Sequence, residues 1–359
     1  MRPVARNAIV VSVVLVGVLG GFTGGWYLRG SAGGSAPSDS ATLSVVAAGS
    51  LAPILPSVLS RFANETPGVQ APVSAQLYEG SRAAASALTL PGAPYDLFVA
   101  ADFRTIPQLL EPPTSSVASW ELVFASDPLV LAYDPNVAAL SGINASNWVD
   151  TLVAGGVTLG APNASADPLG ANVAFALELA GNASGKGPAL YDHFFSGGEG
   201  GIATPTAATR TIAENVAATA LETGEVSAYF LYRSYATVEH LAYVPLNASV
   251  DLGGTTSADV AAYAQASTTV LSGSSTVVQR GAPVLFALTV PGTAPDPALG
   301  IACAAFLVSN ATASVWAGDG FAPLAPIWTD TPASLPAALS GTGPAGVAPL
   351  PGYLASLLG

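Results

Sequence analysis

The chain is poor in charge, and above all in positive charge. Charged residues make up 9% of its 359 residues, whereas an average soluble domain carries about 25%. Lys186 is the only lysine, and the formal net charge is −13. Because a nucleic-acid partner requires a basic patch or stripe on the protein, the composition predicts that the chain does not bind nucleic acid.

Cysteine and histidine are equally scarce. The single cysteine, Cys303, lies in an apolar segment and has no partner for an internal disulfide. The two histidines, His193 and His240, stand in no metal-ligand spacing with other residues. The sequence also has no G-x-S-x-G elbow, H-E-x-x-H pair or Gly-Lys-Ser/Thr phosphate loop. We therefore expect a binding protein without a cofactor rather than an enzyme.

A long apolar run occupies the N-terminus. From Ala8 to Leu28 about 21 residues carry no charge, which is enough to cross a bilayer core of roughly 30 Å. Residues 30–41 then form a Gly/Ser-rich linker. Residues 1–29 are therefore predicted to be a membrane anchor that holds the rest of the chain outside the cell. A cleaved signal peptide, followed by secretion, is the alternative.

Sequons for N-glycosylation support an extracellular location. The Asn-x-Ser/Thr pattern marks surface loops of glycosylated proteins, although a single occurrence is weak evidence. A sequence rich in Ala, Ser and Thr also forms this pattern by chance. The acceptor positions are spread along the chain at Asn64, Asn144, Asn163, Asn182, Asn247 and Asn310.

From residue 42 the chain alternates short apolar runs with segments of helical periodicity, which indicates a parallel sheet with helices on both faces. Residues 42–126 with 255–328 are predicted to form one lobe, and residues 127–254 a second. A long helix is predicted over 206–225. The Pro- and Ala-rich tail, 329–359, shows no firm periodicity and is expected to be poorly ordered or to wrap over the surface.

Two strand-to-helix corners in the first lobe carry Gly followed by Ser. Gly49-Ser50 follows the first predicted strand, and Gly80-Ser81 follows the second. A helix N-terminus has free backbone N–H groups and the positive end of the helix dipole. Glycine lets an anion approach the backbone, and serine adds a hydroxyl donor. The pair predicts an anion site, whereas plain helix capping by serine is the alternative for either corner alone.

Further short motifs accompany these corners in order along the chain. They are A-G-S-L at 48–51, G-S at 80–81, the run from Asp96 to Asp102, W-E-L-V-F-A-S-D-P-L-V-L-A-Y-D-P at 120–135, Asn147-Trp148, A-D-P-L-G at 166–170, Y-F-L-Y-R-S at 229–234 and the strand at 284–291. In these motifs, collinear from about residue 43 to 327, the sequence resembles the archaeal tungstate/molybdate-binding proteins of ABC importers.

This resemblance implies a class II periplasmic-binding-protein fold, an α/β protein of two doubly wound lobes with a ligand cleft between them. From the first lobe Gly49, Ser50 and Ser81 would hold the oxyanion. The second lobe would contribute Asp167-Pro168-Leu169. Tyr232 is a further candidate for the wall of the cleft, and packing in the core is the alternative role for it. In some members of the family an Asp and a Glu bind the metal of the oxyanion itself. Asp167 matches that Asp and is a candidate direct ligand of tungsten or molybdenum.

The chain departs from the family at the second carboxylate, where Leu231 stands in place of the expected Glu. Either Asp167 coordinates the metal alone, or the anion stays tetrahedral and is held by hydrogen bonds. The expected function is capture of an oxyanion, above all tungstate or molybdate. The protein is expected to be a monomer that delivers this ligand to an ABC permease. The alternatives are the same fold with sulfate, phosphate or another anion, or a glycosylated structural protein of the cell surface.

Overall fold

The structure is a computed structural model, and it describes residues 41–69 and 75–358. The predicted membrane segment, 1–29, and the linker up to residue 40 lie outside the described residues. The first part of the described chain contains β1 (Ser44–Ala48), α1 (Leu55–Glu65), β2 (Ala75–Glu79), α2 (Ser81–Leu88), β3 (Leu97–Ala100), α3 (Thr105–Leu109) and β4 (Leu122–Ser126).

The middle part contains β5 (Leu129–Tyr133), α4 (Trp148–Val153), β6 (Leu159–Ala161), α5 (Pro168–Ser184), α6 (Ala189–Phe194), β7 (Phe195–Ser196), β8 (Thr204–Pro205), β9 (Thr209–Thr211), α7 (Ala217–Glu222), β10 (Ala228–Tyr232), α8 (Arg233–Val238) and β11 (Tyr243–Pro245). The last part contains α9 (Ser257–Tyr263), β12 (Ser267–Ser272), β13 (Ser275–Arg280), β14 (Leu285–Thr289), α10 (Pro297–Leu307), α11 (Asn310–Gly318), β15 (Ala322–Thr329), β16 (Val347–Pro349) and α12 (Gly352–Ala355).

Two separate mixed sheets form the centres of two lobes. The first is seven-stranded, in the order β16-β15-β4-β14-β3-β1-β2, and the second is five-stranded, in the order β11-β5-β10-β6-β9. In the first sheet β1 is parallel to β2 and β3, while β14 is antiparallel to β3 and β4. In the second, β5 is antiparallel to β10 and β11. Both sheets therefore mix parallel and antiparallel strands, whereas the alternation of strands and helices predicted parallel pairing.

The chain passes between the sheets through two residues, Asp127 and Pro128, which separate β4 from β5. The N–H of Asp127 donates to Val284 O at 3.2 Å, and the N–H of Arg233 donates to Pro128 O at 2.9 Å.

Helix α5 is the central helix of the second lobe. Fourteen of its seventeen residues are buried, and a helix that is apolar on all sides belongs in the interior of a protein. Its C-terminus is closed by Gly185 in the left-handed conformation, with φ of 72°. The burial of α5 fixes the position of its N-terminus, where Asp167 lies.

The predicted helix over 206–225 was wrong. This stretch contains β9, a 3₁₀ turn at Glu214–Val216 and the short helix α7. The side chain of Thr209 bonds Phe194 O at 2.7 Å, and β9 pairs in parallel with β6. Tertiary pairing with a buried strand thus overrides the helical propensity of an Ala-rich segment. The hairpin of β12 and β13 has no counterpart among the predicted elements.

Residues 329–358, for which no element was predicted, are part of the first lobe. Strand β16 pairs in parallel with β15 at the edge of the seven-stranded sheet. Helix α12 places Leu354 in the same apolar cluster as Val46 and Phe98. The hydroxyl of Tyr353 donates to Thr255 O at 2.9 Å. These contacts join the C-terminal residues to the hydrophobic core.

Within residues 41–69 and 75–358, no single helix is long and apolar enough to cross a membrane. Helices α10 and α11 meet the length and composition criteria only as a pair, with a 61° bend between them.

The packing of the C-terminal residues predicts the result of truncating Leu354. Its side chain is 0% exposed, so Leu354→Ala leaves a cavity and is expected to lower the free energy of unfolding by about 2–5 kcal/mol. Leu90→Ala, at a leucine that is 63% exposed, is the matched control and should change it by less than about 0.5 kcal/mol. Urea unfolding measures both, and equal effects would contradict the packing of α12 on the first lobe.

Candidate ligand-binding cleft

The first corner of the cleft lies at the end of β1. Gly49, Ser50 and Leu51 form a 3₁₀ turn in which all three residues are buried. The backbone N–H of Ser50 donates to Glu214 Oε2 at 2.9 Å, across from the first lobe to the second. The Ser50 hydroxyl has no hydrogen-bond partner within the described residues. At this corner the Ser50 N–H is therefore bonded to a carboxylate, while the Ser50 hydroxyl is available to another group.

The second corner lies between β2 and α2. Ser81 is the first residue of α2, and its Oγ accepts a hydrogen bond from the N–H of Ala101 at 2.9 Å. Its hydroxyl hydrogen remains able to donate to another group. A Cβ on Gly80 would lie 2.5 Å from Ala166 O and 2.6 Å from Asp167 Cβ. Glycine is needed here because the two lobes touch backbone to backbone.

Asp167 is the N-cap of α5 and faces the second corner. Its Oδ1 accepts a hydrogen bond from the N–H of Leu169 at 2.9 Å, and Pro168 occupies the first helical position. Burial raises the pKa of Asp167 to about 6, although the Leu169 N–H and the charge of Arg82 lower it. Asp167 is therefore both a helix cap and a carboxylate that binds a proton more readily than an exposed Asp.

Tyr232 is the last residue of β10. Its hydroxyl accepts a hydrogen bond from Asn172 Nδ2 at 3.2 Å, and the side chain is fully buried. Burial, followed by the charges of Glu214 and Asp167, raises its pKa, so the phenol stays protonated. The neighbouring Leu231 is also fully buried and belongs to the main apolar cluster. No carboxylate thus occupies the position where the family has Glu.

A carboxylate that the sequence reasoning missed lies in the cleft instead. Glu214 begins the 3₁₀ turn before α7 and is 2% exposed. Burial raises its pKa well above the usual range, and the charges of Asp167 and Asp127 raise it further. Glu214 was not predicted as a site residue because it fell within the predicted helix over 206–225, and a glutamate in a helix is usually on the solvated face. No motif in the sequence distinguishes it.

The next residue, Asn215, also reaches across the cleft. Its Nδ2 donates to Tyr78 O at 3.1 Å, and a Cβ on Gly49 would lie 3.4 Å from its backbone N. The N–H of Ala83 donates to Ala166 O at 3.2 Å beside the second corner. The two lobes are therefore hydrogen-bonded to each other at both corners of the cleft.

A cavity of about 420 Å³ opens between the lobes at these corners. Two of the predicted site residues, Gly49 and Asp167, line it together with Gly80 and Glu214. The other five predicted residues are buried beside it and not on its wall: Ser50, Ser81, Pro168, Leu169 and Tyr232. The structure thus brings the Gly-Ser corners and the Asp167 corner to one cleft.

Positive charge is scarce around the cleft. Arg82 lies 3.6 Å from Asp102, measured between Nη2 and Oδ2, and burial lowers its pKa. Arg233 donates through Nε to Gly320 O at 2.6 Å, between the lobes. Among the described residues, no three His, Cys, Asp or Glu side chains are grouped so as to hold a metal ion. The cleft therefore offers mainly neutral donors and carboxylates.

Two lobes, each built on its own sheet, with a cleft of buried polar groups between them, define a two-lobed binding protein. The periplasmic molybdate-binding protein of Azotobacter vinelandii shares this fold, with a TM-score of 0.52 at 13% identity over 78% of this chain and 98% of that chain. The comparison confirms the predicted fold class.

The family described as bacterial extracellular solute-binding protein matches residues 43–322, so the chain belongs to this family. An uncharacterized solute-binding protein of Methanoculleus marisnigri is 28% identical over 309 residues, which cover 80% of this chain and 83% of the relative. The molybdate/tungstate-binding protein WtpA of Pyrococcus abyssi is 24% identical over 272 residues, 71% and 76% of the two chains. The prediction of a binding protein rather than an enzyme is confirmed.

The buried Asp127 at the crossing makes stability depend on pH. Its Oδ1 accepts the N–H of Ser234 at 3.2 Å, and its Oδ2 has no partner among the described residues. Burial raises its pKa to about 7, against about 3.9 in an unfolded chain. Between these values the folded chain keeps a proton that the unfolded chain has released, so stability falls as the pH rises.

We expect Asp127 alone to cost about 1.4 kcal/mol of unfolding free energy for each pH unit between about 4 and 7. Asp127→Asn keeps the side chain neutral and should remove this part of the slope. Glu225→Gln, at an exposed glutamate, is the control. Denaturant unfolding at pH 4, 5.5 and 7 measures the slopes, and identical slopes for Asp127→Asn and the natural chain would show that Asp127 is ionised throughout.

Proposed function

We propose that this chain captures an oxyanion outside the cell, molybdate or tungstate above all, and delivers it to an ABC permease. The observation that carries the proposal is the bond from the Ser50 N–H to the Glu214 carboxylate. It supports the view that the first corner can bind an acceptor oxygen presented from across the cleft. Membership of the solute-binding family and the relative that binds molybdate or tungstate point to the same function.

In this proposal the oxyanion lies between the two Gly-Ser corners and Asp167. Gly49 lets it approach the backbone, and the free hydroxyl of Ser50 and the hydroxyl hydrogen of Ser81 donate to its oxygens. Pro168 and Leu169 begin α5 with its N-terminus towards the cleft. Tyr232, buried at the end of β10, lies beside the cleft. Hydrogen bonds from neutral donors to a charged group contribute about 1.5–3 kcal/mol each, so a dry site needs no cation.

The carboxylates that are present determine how the tungsten or molybdenum of the bound anion can be coordinated. Asp167 uses Oδ1 to cap α5, and the position of the family's Glu is filled by the apolar Leu231. These contacts favour a tetrahedral anion held by hydrogen bonds over a six-coordinate metal. Asp167 as a single direct ligand of tungsten or molybdenum is the second arrangement, and X-ray absorption of the bound tungstate distinguishes four oxygen neighbours from five or six.

The placement of the protein is part of the proposal. Residues 1–29 would anchor the chain, or be cleaved from it, and the two lobes would act as a monomer at the outer face of the membrane. All six asparagines of the predicted glycosylation sites are exposed, which supports glycans on the surface of both lobes. Closure of the two lobes around the ligand would give the permease a closed form that it can distinguish from the open one.

Titration calorimetry of the full-length protein in detergent tests the function. We expect molybdate and tungstate to saturate at one anion per chain, with weaker heats from sulfate and phosphate. Ser50→Ala removes the free hydroxyl and should weaken affinity about tenfold or more, because the lost bond is to a charged group. Ser60→Ala, at an exposed serine of α1, should bind as the natural chain does. No heat with any of the four anions would refute the proposal.

Gly80→Ala tests the closure of the cleft. The backbone of Gly80 has φ of −53°, which alanine also adopts, so the substitution acts through its methyl group alone. That group would collide with Ala166 and Asp167 and hold the lobes apart. We expect at least a tenfold weaker affinity for molybdate, measured by calorimetry. Gly341→Ala, where nothing lies within 4 Å of the added carbon, is the control, and equal affinities would contradict closure at this contact.

A further inference from the structure

Glu214 holds the donor that an oxyanion in the cleft would use. Its Oε2 accepts the Ser50 N–H at 2.9 Å, and a Cβ on Gly49 would lie 3.4 Å from the same oxygen. Its Oε1 has no hydrogen-bond partner in the described part of the chain. One N–H cannot make two good hydrogen bonds at once, so an anion at the first corner and the ionised Glu214 compete for Ser50.

The charged groups around Glu214 favour its neutral form. Asp167 and Asp127 both raise its pKa by repulsion. In the described residues Glu214 forms no salt bridge with a lysine or arginine; the positive charges nearby act on other carboxylates, Arg82 on Asp167 and Arg233 on Asp127. Three buried tyrosines, Tyr229, Tyr232 and Tyr235, present their phenols to it. Tyr78 and Glu79 line the same cavity from the first lobe.

An arriving oxyanion would add further negative charge to this pocket. A carboxylate beside an anion in a dry site is repulsive, because the interaction of charges is much stronger there than in water. A proton on the carboxylate removes the repulsion and turns the group into an O–H donor. The Ser50 N–H, which the ionised Glu214 holds from the first lobe, is then available to the anion.

We propose that Glu214 is a proton-controlled competitor of the oxyanion, so that the cleft takes up its ligand together with a proton on Glu214. This inference rests on the proposed function and adds its regulation. The proton comes from solvent and adds to a carboxylate oxygen of Glu214. The Ser50 N–H passes from Glu214 to the anion, and the new O–H of Glu214 donates to an anion oxygen. Capture is thereby favoured in an acidic exterior.

The test compares the natural chain with Glu214→Gln, whose amide imitates the protonated acid in shape and charge. Molybdate affinity is measured by calorimetry from pH 5 to 8. Coupling to one proton makes the dissociation constant rise about tenfold per pH unit above the pKa of the free site. We expect the slope to be about one unit smaller in Glu214→Gln, which should bind more tightly than the natural chain at pH 8. Protonation of molybdate itself affects both chains equally.

A second readout is the number of protons taken up with the anion, obtained from binding heats in two buffers of different ionisation enthalpy. The natural chain should take up about one proton more than Glu214→Gln. Glu222→Gln, at an exposed glutamate of α7, should match the natural chain in both measurements. Equal slopes and equal proton counts would overturn the inference and leave oxyanion capture standing. Absence of binding in every chain at every pH would instead refute the proposed function, and this inference with it.

Discussion

The contact of Gly80 with Ala166 and Asp167 is the constraint on which the cleft depends. At this point the two lobes meet with no side chain between their backbones. The contact sets the distance from Ser81, at the start of α2, to Asp167, at the start of α5. It also brings the turn of Glu214 close enough to Gly49 and Ser50 for a direct hydrogen bond. A larger residue at Gly80 would separate all of these groups together.

Burial of carboxylates in a chain with few cations explains much of the remaining chemistry. Asp127, Asp167 and Glu214 each lose water on folding, and in each case burial is the largest cause of a raised pKa. An arginine near a carboxylate would usually offset this cost, but the arginines nearby also hold Asp102 and Gly320. Under the proposed mechanism the cleft relieves this charge by binding protons, which would link ligand capture to pH.

The parts of the site that could be predicted from sequence are those set by local structure. Gly49-Ser50 and Gly80-Ser81 follow strands directly, and Asp167-Pro168 is a helix start, so short-range rules place them. Glu214 could not be predicted in this way. Its burial depends on β9 pairing with β6 and on the approach of the other lobe, and both are contacts between residues far apart in the chain.

The same distinction applies to the fold. The apolar strands β1, β3, β4 and β10 and the largely buried helix α5 could be recognised from composition and length. The strands β9, β15 and β16 could not, because their residues are polar, Pro-rich or Ala-rich and become strands only by pairing with a strand already in place.

The central claim is that one oxyanion lies between the Gly-Ser corners of the first lobe and Asp167 of the second. Anomalous diffraction from crystals grown with tungstate locates tungsten directly. The account predicts one strong peak, with tungstate oxygens within about 3 Å of the Ser50 N–H and of the hydroxyl of Ser81, and with Glu214 Oε2 moved off the Ser50 N–H. A fully occupied peak away from both corners, or a peak with the bond from Ser50 to Glu214 intact, would contradict it.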